Sequence, residues 1–186
     1  MIAICVGHSR SGDNGAESVD GTSEHAFNSG VARELKSILC KRGIKSEVLE
    51  KYGGNGYSAA MTWVAQAVKE MGAYAAIELH FNSASPSAHG HEFLFWKNSS
   101  GGKKLARAFA ECYQDHFPAS TPRREGGMFP ISKSARGSQF LQKTHCPALI
   151  LEPFFGSNNQ EWEIAKHDPS RISHAYAAAI FDYIDH

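Results

Sequence analysis

Ala75-Ala76-Ile77-Glu78-Leu79-His80-Phe81-Asn82 decides how this chain is read. A short apolar run that follows a helix-like segment and Gly72 predicts a buried strand of an α/β sheet. The strand ends in His80 and Asn82, and Ser83-Ala84-Ser85-Pro86 then turns the chain. Loops beyond the ends of buried strands are where α/β sheets place their chemistry. A lone histidine there is more often structural than functional. This one has counterparts: the first apolar strand leads into His8, and a late one, Ala148-Leu149-Ile150-Leu151, leads into Glu152. Three strand ends with ligand-type side chains require one explanation.

The pattern around these strands is regular. Residues 2–7 (IAICVG) form the first predicted strand, followed by a loop over residues 9–16 too rich in Gly, Asp and Asn to continue it. Ser23 caps a helix that buries Phe27, Val31, Leu35, Ile38 and Leu39 at three-to-four spacing and stops near Arg42, before Gly43. Residues 44–50 alternate as a short strand. A helix over about 58–71 buries Ala60, Trp63, Val64, Ala67 and Met71. After the opening strand come a strand over 91–96, a helix over 101–117 and a long irregular region over 118–138. Long irregular regions in compact domains usually serve function or move. A short helix over 139–144, the strand into Glu152, a helix over 158–166 and a last helix capped by Asp168-Pro169 complete the chain. Strands alternating with helices predict one α/β domain over 1–186, with a twisted, mostly parallel or mixed sheet and helices on both faces. No repeat or linker separates a further wall-binding domain.

Composition narrows the function classes. The 186 residues are 42% hydrophobic and 20% charged, with zero formal net charge. That balance gives no support for nucleic-acid binding or a polybasic membrane anchor. Arg123-Arg124 and Lys103-Lys104 read as solvated surface. No run reaches the roughly 18 apolar residues of a membrane span, and the N-terminus has no basic leader of a signal peptide. The expectation is a protein made in the cytoplasm and acting as a monomer. Cys5, Cys40, Cys112 and Cys146 form no C-x-x-C pair and read as reduced, mostly buried small hydrophobes.

Two histidines and a carboxylate suit zinc, which in hydrolases takes three protein ligands and leaves one position open. His8 and His80 end strands, and Glu24 opens the helix after the first strand, so it can lie over the same sheet edge. Such a site also needs a base outside the ligand set, and Glu152 is the candidate. Glu78 and Glu92 compete as carboxylates. Alternation puts Glu78 on the face of His80, as a partner of that ring or as a structural residue.

Four blocks carry a resemblance: GHSRSGDNGA (7–16), SEHAFNSGVARELKSIL (23–39), AAIELHFNSAS (75–85) and CPALILEPFFGSNNQE (146–161). Together they resemble the zinc-dependent N-acetylmuramoyl-L-alanine amidases of the amidase_3 type, across nearly the whole chain. The resemblance implies zinc ligands at His8, Glu24 and His80, with Asn82 in the third motif, and a catalytic glutamate at Glu152. It also implies peptidoglycan as substrate and a twisted mixed sheet flanked by helices. Two positions depart from the pattern. Ser9 stands where many members have a second glycine, and Pro153-Phe154-Phe155-Gly156 replaces the usual leucine-glycine-phenylalanine run. Neither touches a ligand.

Other stretches carry weaker expectations. Gly7-His8-Ser9-Arg10-Ser11 half-matches a serine-hydrolase elbow, but no preceding strands build that fold. His89 and His91 read as surface histidines. Arg136 could hold a stem carboxylate, as an arginine suits one, and Phe81, Phe154 and Phe155 could pack on a sugar or lactyl group. The resulting expectation is hydrolysis of the amide between muramic acid and L-alanine, in the setting of a phage endolysin. Its rivals are a zinc peptidase of the stem peptide and a non-catalytic wall-binding module.

Overall fold

The computed structural model describes every residue except Ser134, Arg136 and His186. Six strands form one sheet: β1 (Ile2–Val6), β2 (Ser46–Leu49), β3 (Ala75–Leu79), β4 (Glu92–Trp96), β5 (Met128–Ile131) and β6 (Ala148–Glu152). Their order is β2-β1-β3-β6-β4-β5. Neighbours run parallel except β4 and β6, which are antiparallel. The helices are α1 (Glu24–Lys41), α2 (Tyr57–Glu70), α3 (Ser100–His116), α4 (Ser138–Lys143), α5 (Asn159–His167) and α6 (Pro169–Asp185).

The central strands are mostly apolar because both faces are covered; Glu78 of β3 and Glu152 of β6 interrupt the pattern near the strand ends. Ile2, Ile4 and Val6 of β1 meet α1, α3 and α6 through Leu35, Phe109 and Tyr176. Ala3 and Cys5, on the opposite face, meet α2 and α4 through Val64 and Phe140. α1 begins where expected: the Ser23 side chain accepts from Ala26 N at 3.2 Å and the helix starts at Glu24. An acidic residue in that first turn is favoured by the helix dipole.

Topology places the site. β1, β3 and β6 are neighbouring parallel strands, so His8, His80 and Glu152 share one sheet edge. Gly7 N donates to Leu79 O, and His80 N to Leu151 O, locking the three ends together. Because β4 runs the other way, its first residue, Glu92, stands opposite Glu152.

Four expectations are corrected. The region 118–138 contains a strand, β5, whose Pro130 lacks a donor and is accommodated because β5 is an edge strand. The buried stripe of α2 is Ala60, Met61, Val64 and Val68, which turns Trp63 outward to 38% exposure. Trp63 lies beside Tyr52 instead, with ring centroids 6.2 Å apart. Only Cys5 is buried: Cys40 is exposed, and Cys112 and Cys146 are half-buried. His91 is a core histidine, fully buried against Tyr113 and Phe93.

Candidate metal centre and active-site groove

His8, Glu24 and His80 each offer a ligand atom, and these atoms all lie within 4.8 Å of one another. Glu24 is the hub. Its Oε1 is 2.7 Å from His80 Nδ1, and its Oε2 is 3.3 Å from His8 Nε2. Backbone N–H groups of Ala16 and Phe81 also donate to its two oxygens, at 3.0 and 3.2 Å. Burial opposes a charge on Glu24, but the two histidines outweigh it and hold its carboxyl far below the usual carboxylate range.

Each histidine has a carboxylate behind it. His8 Nδ1 pairs with Asp13 Oδ1 at 2.9 Å, and Asp13 Oδ2 accepts from Arg10 Nη2 at 2.7 Å. His80 Nε2 lies 3.3 Å from Glu78 Oε2, and Glu78 Oε1 accepts from the Tyr52 hydroxyl at 3.2 Å. Burial disfavours the cation on both imidazoles. Glu24, with Asp13 or Glu78, overcomes burial and raises both, His80 well above the ordinary imidazole value. Asp13 is lowered against burial by Arg10 and His8. In this arrangement His8 Nε2 and His80 Nδ1 face Glu24, while the opposite nitrogens face Asp13 and Glu78.

The residues fit a divalent metal. His8 Nε2 is buried, close to Glu24, yet forms no hydrogen bond. Gly15, at φ 74, lies tight against both His8 and Glu24: a Cβ there would lie 2.7 Å from Glu24 Oε2 and from His8 Cδ2. A Cβ on Gly7 would overlap the His80 ring. His8 itself sits at φ 58, in the left-handed region that non-glycine residues seldom adopt. Two imidazoles and one carboxylate are a donor set suited to zinc.

A groove of about 500 Å³ opens beside this trio, lined by His8, Glu78, His80, Asn82, Glu92 and Glu152 among others. Glu152 thus faces the same space as the two histidines. A larger hollow of about 900 Å³ lies between α3, α5 and α6, and none of the trio lines it.

The remaining expected site residues divide. Asn82 lines the groove, and its Nδ2 donates to Glu92 Oε1 at 3.1 Å. Arg136 lies outside the described residues. Phe81, Phe154 and Phe155 do not reach substrate. They are 2%, 4% and 2% exposed, and Phe81 and Phe154 pack with Trp162 under the site. Arg123 and Arg124 are not merely solvated: both approach Glu92, and they lie over Phe155 and Phe129. Sequence reasoning missed Asp13 entirely. Its only signal was an acidic residue in the turn that His8 opens.

Comparison with known proteins bears on the fold and the family. The Amidase_3 family model, N-acetylmuramoyl-L-alanine amidase, matches residues 2–182. The fold is similar to that of an N-acetylmuramoyl-L-alanine amidase from Clostridium difficile 630, with 20% identity, TM-score 0.84, and 99% of this chain and 96% of that one covered. It is also similar to Ami1 from Mycobacterium smegmatis, an N-acetylmuramyl-L-alanine amidase, at 15% identity and TM-score 0.84 over 100% and 97%. The catalytic domain of the CD27L endolysin targeting Clostridia difficile aligns at 22% identity and TM-score 0.81 over 97% and 96%. No curated protein matches the chain in sequence. With nearly its whole length matched by the family model, the chain belongs to the N-acetylmuramoyl-L-alanine amidases of the Amidase_3 family.

Proposed function

We propose that this chain is a zinc-dependent hydrolase of the amide between the muramic acid lactyl group and L-alanine in peptidoglycan. The observation that carries the reading is the trio of half-buried His8 and His80 around buried Glu24, beside Glu152 in one groove. His8, Glu24 and His80 would hold the metal. When bound, zinc supplies a polarising charge and acidifies water to a pKa of about 7.

The chain's own residues do the rest. Glu24 cancels part of the metal's charge while two backbone N–H groups fix its oxygens. Asp13 and Glu78 orient the two imidazoles from behind. Glu152 takes the proton of the attacking water and delivers it to the departing alanine amine. Asn82, held by Glu92, presents its remaining polar atom to the substrate.

We assign this activity to a monomer of one catalytic domain. Bacteriolysis of the endolysin kind is the finer form of the same reading, and loss of turbidity in a suspension of purified cell walls tests it. The metal is tested directly. Purified protein should contain one zinc per chain, chelation should abolish wall digestion, and added zinc should restore it. His80→Ala should lose the metal. Full activity without metal would overturn the reading.

A further inference from the structure

We propose that Arg124 is a specificity-determining residue that binds a free carboxylate of the stem peptide at the rim of the groove. The inference deepens the amidase reading and rests on it. Because β4 is antiparallel to β6, Glu92 and the segment over 121–129 stand at the edge that carries His8, His80 and Glu152. The segment is pinned there: His91 N donates to Thr121 O at 3.1 Å, and Arg123 N to His91 O at 2.9 Å.

Two guanidiniums converge on one carboxylate. Arg123 Nε is 3.3 Å and Arg124 Nε 3.6 Å from the same atom, Glu92 Oε2, while Glu92 Oε1 is taken by Asn82. Arg123 is otherwise engaged, donating Nη1 to His89 O and lying over Phe155. Arg124 is held only through Nε and through its stacking on Phe129, with Cζ 4.4 Å from the ring centre. Its two Nη groups have no hydrogen-bond partner among the described residues, and its side chain is 53% exposed. Glu92 and Phe129 both line the groove. Two cations and one anion leave one positive charge at the rim, carried by a planar fork with free N–H groups. That geometry matches a carboxylate.

The backbone supports the same assignment. Arg124 sits at φ 55, one of two non-glycine residues with positive φ among the described residues, the other being His8 of the proposed metal trio. L side chains adopt this region at a cost, and such strain persists where surrounding contacts hold it for function. Peptidoglycan stems carry carboxylates beyond L-alanine, so the substrate offers the anion that the fork lacks.

The test uses the full chain carrying Glu152→Gln, which slows cleavage of bound ligand by roughly 10²-fold or more. Its probes are N-acetylmuramoyl-L-alanyl-D-glutamate and the same compound with both glutamate carboxylates amidated. The expected result is about ten-fold tighter binding of the acid, the scale of one charge-assisted hydrogen-bonded pair. Adding Arg124→Ala should abolish that preference. Arg124→Gly, which removes the strain together with the fork, should abolish it as well. An undiminished preference in both variants, or no preference in the parent, overturns the proposal. Wall digestion by the unmodified chain tests the amidase reading separately. If that fails while the Arg124-dependent preference persists, the carboxylate site stands and the reaction must be reassigned.

Discussion

Glu78 Oε2 lies 3.3 Å from His80 Nε2, on the side of the ring away from Glu24. Glu78 is only 4% exposed, and its other oxygen is held by Tyr52. Tyr52 N in turn donates to Ser9 O at 2.9 Å, next to His8. This chain of contacts fixes which nitrogen of His80 faces Glu24. Glu78→Ala should lower zinc affinity by about 10- to 100-fold, the usual effect of losing such a partner. Tyr52→Phe, which leaves the carboxylate in place, should do less. Competition with a chelating dye measures both, and unchanged affinity in Glu78→Ala would show that packing alone positions His80.

Two glycines of the first loop separate strain from fit. Gly12 and Gly15 have nearly the same backbone, φ 76 and 74. Space around Gly12 is open, whereas a Cβ on Gly15 meets Glu24 and His8. Each change to alanine should cost about 1–2 kcal/mol for the left-handed backbone. Only Gly15→Ala should also impair metal binding. Thermal unfolding and metal titration of both variants make the comparison, and equal metal affinities would count against the tight fit at Gly15.

His91 should make the fold acid-sensitive. Its Nδ1 pairs with Ser120 Oγ at 2.8 Å, its Nε2 is buried without a hydrogen bond, and burial pushes its pKa down to about 4. An unfolded imidazole titrates near 6.5. Between those values the unfolded chain binds a proton that the folded chain refuses, so stability falls as pH drops from about 6.5 to about 4. The full loss is on the order of 3 kcal/mol. Denaturant unfolding at pH 7 and pH 4.5 should show a smaller drop for His91→Gln than for the parent. An identical drop would place the acid sensitivity elsewhere.

Glu152→Gln separates chemistry from metal binding. Its carboxylate ends β6 and lines the groove, outside the His8–Glu24–His80 cluster. The variant should retain zinc and fold while losing roughly 10²-fold or more in rate. Loss of zinc in this variant would make Glu152 a ligand and force reassignment of Glu24.

Much of this was legible in the sequence, for physical reasons. β1, β3 and β6 are buried on both faces and so read as short apolar runs, and their parallel pairing brings His8, His80 and Glu152 to one edge. β5 was not legible, because an edge strand holding Pro130 needs little apolar surface and looks like loop. The antiparallel sense of β4 depends on tertiary pairing and has no local signal. It decides that Glu92 lines the groove and that the two arginines meet Glu92 there, which is why Arg123-Arg124 read as surface. Trp63 and His91 failed for opposite reasons. The helical stripe of α2 is rotated by one residue from the expected one, and a core histidine reads no differently from a surface one until Tyr113 and Phe93 pack on it. Phe81, Phe154 and Phe155 lie next to the motifs in sequence, but their side chains point into the core.

The identity of the bond cleaved separates a muramoyl amidase from a stem peptidase. Purified peptidoglycan digested with the zinc-loaded protein should be analysed by mass spectrometry of its soluble products. The products should be intact stem peptides bearing a new free L-alanine amine, with glycan strands whole and no new reducing sugar ends. New amine termini on D-alanine, diaminopimelate or glutamate would contradict the muramoyl amidase reading and make the chain a peptidase on the same scaffold.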